Sequence, residues 1–217
     1  LAFSESVIFR EILLKRPLAY CMTHADAIAA DGRLQLQELA SQFKVPTEKI
    51  FILPDGVELD LIQTYTSNSR MKREDLGLQD ADLVLVNVNR LDRNKGISYL
   101  IDALGILNRK INAKLIMVGA GPEETRINRQ IERLKLRKKV VHFKNISDKN
   151  MFQTYSLADI SVTPTLWEGL PLVVLEAMAA GKPIVATNVA DIPSVIKGNG
   201  IIVPPRDEKA IVDAVFK

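Results

Sequence analysis

The sequence predicts an α/β fold built on a doubly wound, Rossmann-like parallel sheet of six strands. From residue 83 onward, six short apolar runs alternate with segments of helical period. The runs are nearly continuous in Val, Ile and Leu, as strands buried on both faces must be. Gly and Pro fall between the runs, where turns and helix ends need them.

Taken in order, Leu83–Val88 reads as the first of these strands and 96–109 as a helix. Lys114–Val118 is the second strand, and 123–136 a helix with charges on its outer face. Val140–Phe143 is the third, followed by a helix over 149–157. Asp159–Thr163 is the fourth, Pro183–Ala186 the fifth and Gly200–Val203 the sixth. Between the fourth and fifth, Leu172–Ala180 has a helical composition. Pro171 suits its start and Gly181 with Pro183 its stop, because proline lacks an N–H and cannot continue a helix. This helix is apolar nearly all round, so it is expected to be buried. A short helical turn over 192–196 and a last helix over 207–216 complete the pattern.

The first part differs. Residues 1–20 form a mixed helical stretch, 25–29 a short strand, 33–43 a helix and 50–53 another strand. Pro54-Asp55-Gly56 is a turn, and the polar stretch 58–79 suits a linker. The chain begins with Leu and ends inside a helical pattern, so it reads as a piece of a longer protein.

Composition excludes several classes. No uncharged apolar run reaches 18 residues, so no transmembrane helix is expected. Cys21 is the lone cysteine, which fits a reducing compartment and hence a cytoplasmic location. A net charge of +3 with one Trp gives little support to nucleic-acid binding. The basic stretch 126–144 reads as a solvated helix face, with a membrane-surface patch as the alternative. His142 alternates within a strand and reads as a satisfied core residue. Asp80 and Asp82 stand before the first strand, at the wrong end of a parallel sheet for a ligand. No His, Cys and Asp cluster has metal-ligand spacing, and no metal is expected.

Three loops could carry chemistry. Asn89 to Gly96 is cationic and ends at a helix start, so Arg90 and Lys95 could clamp a diphosphate or form a solvated basic loop. Gly119-Ala120-Gly121-Pro122 is a tight turn into a helix and lacks the third glycine of a dinucleotide fingerprint. The stretch from Glu168 to Gly181 keeps two carboxylates, Glu168 and Glu176, in a run otherwise free of charge. A lone carboxylate on a buried helix costs several kcal/mol unless paired. Either Glu176 is buried against an Arg or Lys or lies on a narrow exposed strip, or both carboxylates line a ligand cleft beside the free N–H groups of the helix start.

These pieces together resemble the C-terminal, donor-binding half of a family 4 glycosyltransferase of the GT-B fold. The resemblance covers roughly residues 20–217. It rests on Leu53-Pro54-Asp55-Gly56-Val57, Asn89-Arg90-Leu91 with Lys95-Gly96, and Val118-Gly119-Ala120-Gly121-Pro122. Ala158-Asp159-Ile160 and the Glu168 to Gly181 stretch complete it. It implies that 1–56 is the end of the N-terminal acceptor domain and 57–82 the linker and domain entry. Residues 83–217 would be the nucleotide-sugar donor-binding domain, cut short at its C-terminus and inactive alone.

The resemblance also implies roles. Arg90 and Lys95 would hold the donor diphosphate and stabilise charge on the leaving nucleotide. Glu168 would contact hydroxyls of the donor sugar and Glu176 those of the ribose. Backbone N–H groups around Gly169, Leu170 and Leu172 would face sugar and phosphate, and Ile146 would lie near the base. The implied reaction retains anomeric configuration, needs no cofactor, and moves a hexose from a UDP-, GDP- or ADP-sugar. Its acceptor, a sugar or lipid, would sit on the missing domain, with peripheral membrane contact of the full-length protein left open. The sequence departs from the family where Asn89, Lys144 and the Ala190-Asp191 pair stand for usual glycines, and Asp55 for Asn. A sugar-nucleotide epimerase of the same architecture and a non-catalytic interaction module are the alternative functions.

Overall fold

The computed structural model describes residues 17–169, 171–196 and 198–217. The expected helix over 1–20 lies outside them for its first sixteen residues; residues 17–24 are helical. The chain divides into two compact units between Asp55 and Gly56.

The smaller unit pairs β1 (Ile28–Ala30) in parallel with β2 (Ile50–Ile52), in register from Ile28↔Ile50 to Ala30↔Ile52. Helix α1 (Arg33–Gln42) joins them and contributes Leu39 to a small core with Ala30, Val45 and Ile50. The strand expected at 25–29 begins three residues later.

The larger unit begins with α2 (Leu59–Ser67), in the stretch expected as a linker. Its one buried residue is Ile62. With Leu59 and Leu61 exposed, the helical apolar stripe is too narrow to read from the sequence. The segment is also bolted in by Arg73, whose Nη2 donates to Asp159 Oδ1 at 2.7 Å and Nε to Leu157 O at 2.9 Å.

The six expected strands are all present, as β3 (Leu83–Val88), β4 (Ala113–Val118), β5 (Val140–Phe143), β6 (Ile160–Thr163), β7 (Ile184–Thr187) and β8 (Gly200–Val203). They form one parallel sheet in the order β5-β4-β3-β6-β7-β8. Between them come α3 (Ile97–Leu107), α4 (Glu124–Arg133), α5 (Asp148–Leu157), α6 (Leu172–Ala179), α7 (Ile192–Val195) and, last, α8 (Glu208–Val215).

Alternation along the strands divides the core in two. Leu85, Leu115, Met117, Val162 and Val185 face α3, α4 and α8. Val84, Val86, Ile116, Ile184 and Ala186 face α2, α5, α6 and α7. Both faces are covered, which is why the strand runs are apolar at most positions. The strand order reverses between β3 and β6. The chain leaves β3 towards one face and β6 towards the other, and a crevice opens at their carboxyl ends.

Candidate functional site

The loop after β3 and the loop after β6 meet at that crevice, and hydrogen bonds zip them together. Asn94 O accepts from Leu166 N at 2.6 Å and from Thr165 Oγ1 at 3.1 Å. Asn94 Nδ2 donates to Trp167 O at 3.2 Å. Thr187, at the end of β7, continues the ladder by donating to Thr165 O at 2.5 Å. Gly96 adopts φ +65° with no room for a side chain, since a Cβ there would lie 2.0 Å from Pro164 O. The glycine at the end of this cationic loop is therefore needed both for its backbone angle and for the close approach of β6.

The loop after β4 closes the third side. Gly119, at φ +129°, would bring a Cβ to 2.1 Å from Asn89 O, and Gly121 one to 2.5 Å from Leu91 O. Leu91 N donates to Ala120 O and Glu123 N to Leu91 O. The expected tight turn is thus also a contact surface for the Arg90 loop.

The expected site residues then fall into place unequally. Lys95 Nζ bonds the Glu168 carboxylate directly, with their side chains 17% and 22% exposed. Two residues 73 positions apart are thereby joined across the crevice. Arg90 instead points outward. Its side chain is 72% exposed and its Nε donates to Asp92 Oδ2 at 3.0 Å. Ile146 is half-buried against the core facing α5 and α6. Gly169 is half-buried, Leu172 is exposed at the first position of α6, and Leu170 lies outside the described residues.

Helix α6 is less buried than its composition suggested. Only Val174 and Ala177 are fully enclosed, because the helix borders the crevice instead of lying beneath it. Pro171 is the cap residue preceding the first turn, and no side chain caps the helix start. Val174 N is satisfied by Pro171 O at 3.0 Å. The N–H groups just before it carry the positive end of the helix dipole.

Glu176 has no Arg or Lys partner among the described residues. Its Oε2 accepts instead from the hydroxyl of Tyr155 on α5, at 3.4 Å. Burial raises the Glu176 carboxyl above its ordinary value, the Tyr155 hydrogen bond pulls it back in part, and the charge of Asp148 adds to the rise. Tyr155 itself is fully buried, which with the neighbouring Glu176 charge lifts its hydroxyl well above the usual range. Sequence reasoning missed Tyr155, since an aromatic at helical spacing carries only a core signal. It missed Asp92 and Asn94 as partners because their roles depend on loop geometry.

Several other readings resolve here. His142 Nε2 sits 2.8 Å from Gly119 O, a satisfied strand residue as expected. Asp82 accepts from Gln79 N at 2.8 Å and bonds Asn112, at the amino end of the sheet. Asp159 of the Ala158-Asp159-Ile160 piece is structural, binding Arg73 and Val84 N at that same end. Lys144 pairs with Glu124 in the first turn of α4 at 2.5 Å. Asn89 is 6% exposed, and its Nδ2 has no partner among the described residues. Ala190 holds φ +46°, in the left-handed region that glycine favours, so the departure there carries backbone strain. Among the described residues no group of three or more His, Cys, Asp and Glu could hold a metal. No helix among them is long and apolar enough to cross a membrane.

Known proteins resemble this chain in sequence and in fold. The family described as glycosyl transferases group 1 matches residues 68–217. An uncharacterized glycosyltransferase of Methanocaldococcus jannaschii is 32% identical over 180 residues, covering 81% of this chain and 46% of the relative. The D-inositol 3-phosphate glycosyltransferase of Paenarthrobacter aurescens is 28% identical over 199 residues, covering 88% and 48% respectively. The chain thus spans about half the length of these curated relatives. Among solved structures, sucrose-phosphate synthase from Thermosynechococcus elongatus superposes with a TM-score of 0.82 at 25% identity, over 99% of this chain and 54% of that one. Anabaena HepE in complex with UDP-glucose gives the same TM-score at 22% identity, over 95% and 57%, a likeness of fold.

Proposed function

The chain belongs to the group 1 glycosyl transferases, and from that premise we propose that it is the donor-binding half of a retaining hexosyltransferase that uses a nucleoside-diphosphate sugar. The observation that carries the proposal is the Lys95–Glu168 pair at the point where the strand order reverses. A built, half-buried cation stands there beside a helix start, and both favour a phosphate group.

Arg90 and Lys95 hold the diphosphate in this reading. They neutralise the charge that develops on the leaving nucleotide as the bond from sugar to phosphate breaks. The diphosphate takes over the Lys95 ammonium and so releases Glu168 to accept hydrogen bonds from sugar hydroxyls. The exposed Arg90 can leave Asp92 for a second phosphate oxygen at little cost, since exposed pairs are weak. Backbone N–H groups around Gly169, Leu170 and Leu172 face the same oxygens. Glu176 accepts from the ribose, and Ile146 borders the base. No metal or cofactor takes part. The acceptor, a sugar or lipid, is held mainly by the part of the enzyme that precedes residue 57 and reaches the crevice from there. The full-length protein is cytoplasmic, with any membrane contact peripheral.

Calorimetric titration of the chain with UDP, GDP and ADP tests this. One diphosphate should bind. Glu176→Ala should weaken it by roughly 10- to 100-fold, as expected for a lost hydrogen bond to a charged group, and Arg90→Ala by about tenfold. Binding untouched by both substitutions would overturn the assignment.

A further inference from the structure

Trp167 is the only tryptophan of the chain and exposes 46% of its surface. Among the described residues of the larger unit, the other exposed large apolar side chains are Leu59, Leu61, Leu172 and Phe216. Trp167 lies in the loop between β6 and α6 and Leu172 opens α6, so two of these five stand on the loop and helix start that border the crevice. The core does not require either to be there, and leaving an indole in water forgoes a large burial term.

The indole also stands on a fixed backbone. Its carbonyl accepts from Asn94 Nδ2 at 3.2 Å and lies 3.3 Å from Thr165 Oγ1. The preceding residue, Leu166, donates to Asn94 O, and the following one, Glu168, is held by Lys95. An aromatic side chain with few rotatable bonds on an anchored backbone has little freedom to lose when something packs on it.

The chemistry of a hexose ring fits this pairing. A pyranose carries C–H groups on its faces and hydroxyls around its edge. Holding one takes an apolar plate beside charged hydrogen-bond acceptors. Trp167 and Glu168 place the two side by side in consecutive residues. We propose that Trp167 is a specificity-determining residue that packs against the apolar face of a hexose while Glu168 engages its hydroxyls. The inference rests on the donor-site reading above. The ring is either the hexosyl group of the nucleotide sugar or a sugar acceptor, and the two are separable.

As the sole tryptophan, Trp167 reports on itself. Its emission would be followed while the chain is titrated with UDP, with UDP-glucose, and with glucose added to the UDP complex. GDP or ADP and their glucose conjugates replace these if calorimetry selects another base. Affinities would be measured calorimetrically for the wild type, Trp167→Ala and Trp167→Phe. The expected result is a blue shift with UDP-glucose that bare UDP does not produce. Trp167→Ala should lose roughly three- to tenfold in affinity for UDP-glucose and none for UDP, and Trp167→Phe should keep most of it. A shift only when glucose joins the UDP complex would assign the acceptor ring. Calorimetric binding of both ligands with unchanged emission, or equal losses for both in Trp167→Ala, would overturn the proposal. Failure of the wild type to bind any diphosphate would remove the donor-site reading and this inference with it.

Discussion

A partly buried ion pair stands at each end of the sheet, and the two are built differently. At the amino end, both Asp159 oxygens and most of the Arg73 donors are engaged. Asp159 accepts from Arg73 at 2.7 Å with one oxygen and from Val84 N at 2.8 Å with the other. Arg73 also donates to Leu157 O and lies 3.4 Å from Asp80 O and Asp82 O. At the carboxyl end, Lys95 and Glu168 have only each other as side-chain partners among the described residues. An ammonium has three donors and a carboxylate about four acceptor positions, so most of that capacity is unspent. A saturated pair locks chain segments together, whereas an unsaturated one can exchange its partner for a ligand. The number of further partners separates the two roles better than burial does, since Asp159 is the more exposed of the two acids at 40% against 22%.

The strongest way to break the contrast is to separate the carboxyl-end loops. Gly96 and Gly77 have nearly the same backbone angle, φ +65° and +66°. A Cβ at Gly77 meets nothing within 4 Å, while one at Gly96 lies 2.0 Å from Pro164 O. Gly77→Ala should cost about 1 kcal/mol, the left-handed penalty alone. Gly96→Ala should cost about 3 kcal/mol or more, because backbone must move as well. Urea unfolding of the two variants measures the difference, and equal losses would show that the loops are not held in close contact.

The ion pairs themselves come next. Asp159→Ala should destabilise by about 2–3 kcal/mol, since it strands Arg73 and a strand N–H. Lys95→Ala should cost only about 1 kcal/mol, as a single partner is lost in a partly solvated place. Diphosphate affinity should show the reverse order, with Lys95→Ala losing tenfold or more and Asp159→Ala, assayed below its unfolding midpoint, little. If both variants lost stability equally and kept their affinity, the distinction between a lock and an exchangeable pair would fail.

Much of this frame was legible in the sequence, for physical reasons that differ by element. Strands covered on both faces leave nearly continuous apolar runs, so Leu83–Val88 was readable to the residue despite Asn87. Gly181 stops α6 at φ +66°, a conformation that composition alone signals. Helix α2 was not readable, because it buries one side chain and turns polar residues outward. The pairing of Lys95 with Glu168 had a weak sequence signal in two loops that a parallel sheet brings to one edge. The pairing of Glu176 with Tyr155 had none. The pattern left a cation, an exposed strip or a ligand cleft open at Glu176, and only tertiary packing could place a phenol there.

That phenol gives the smallest effect and the finest test. Burial lifts the Glu176 carboxyl above 4.5, its value in a model compound. A carboxyl that holds its proton more tightly folded than unfolded stabilises the fold below the unfolded value. That contribution disappears as pH rises through the folded value. Glu176→Gln, which cannot ionise, should therefore gain stability relative to the wild type as pH rises from about 4.5 across this window. Nucleotide affinity should run the opposite way. Ribose hydroxyls donate to the ionised carboxylate, so binding should strengthen over the same window in the wild type and stay weak and flat in Glu176→Gln. Tyr155→Phe removes the donor that favours the charged form and should move the wild-type window to higher pH. A wild-type affinity profile without slope from pH about 4.5 upward, or a Tyr155→Phe profile shifted downward, would mean that Glu176 does not meet the ligand as a carboxylate. Its buried charge would then be a cost of the fold with no return at the site, matching neither the saturated pair at one end of the sheet nor the exchangeable one at the other.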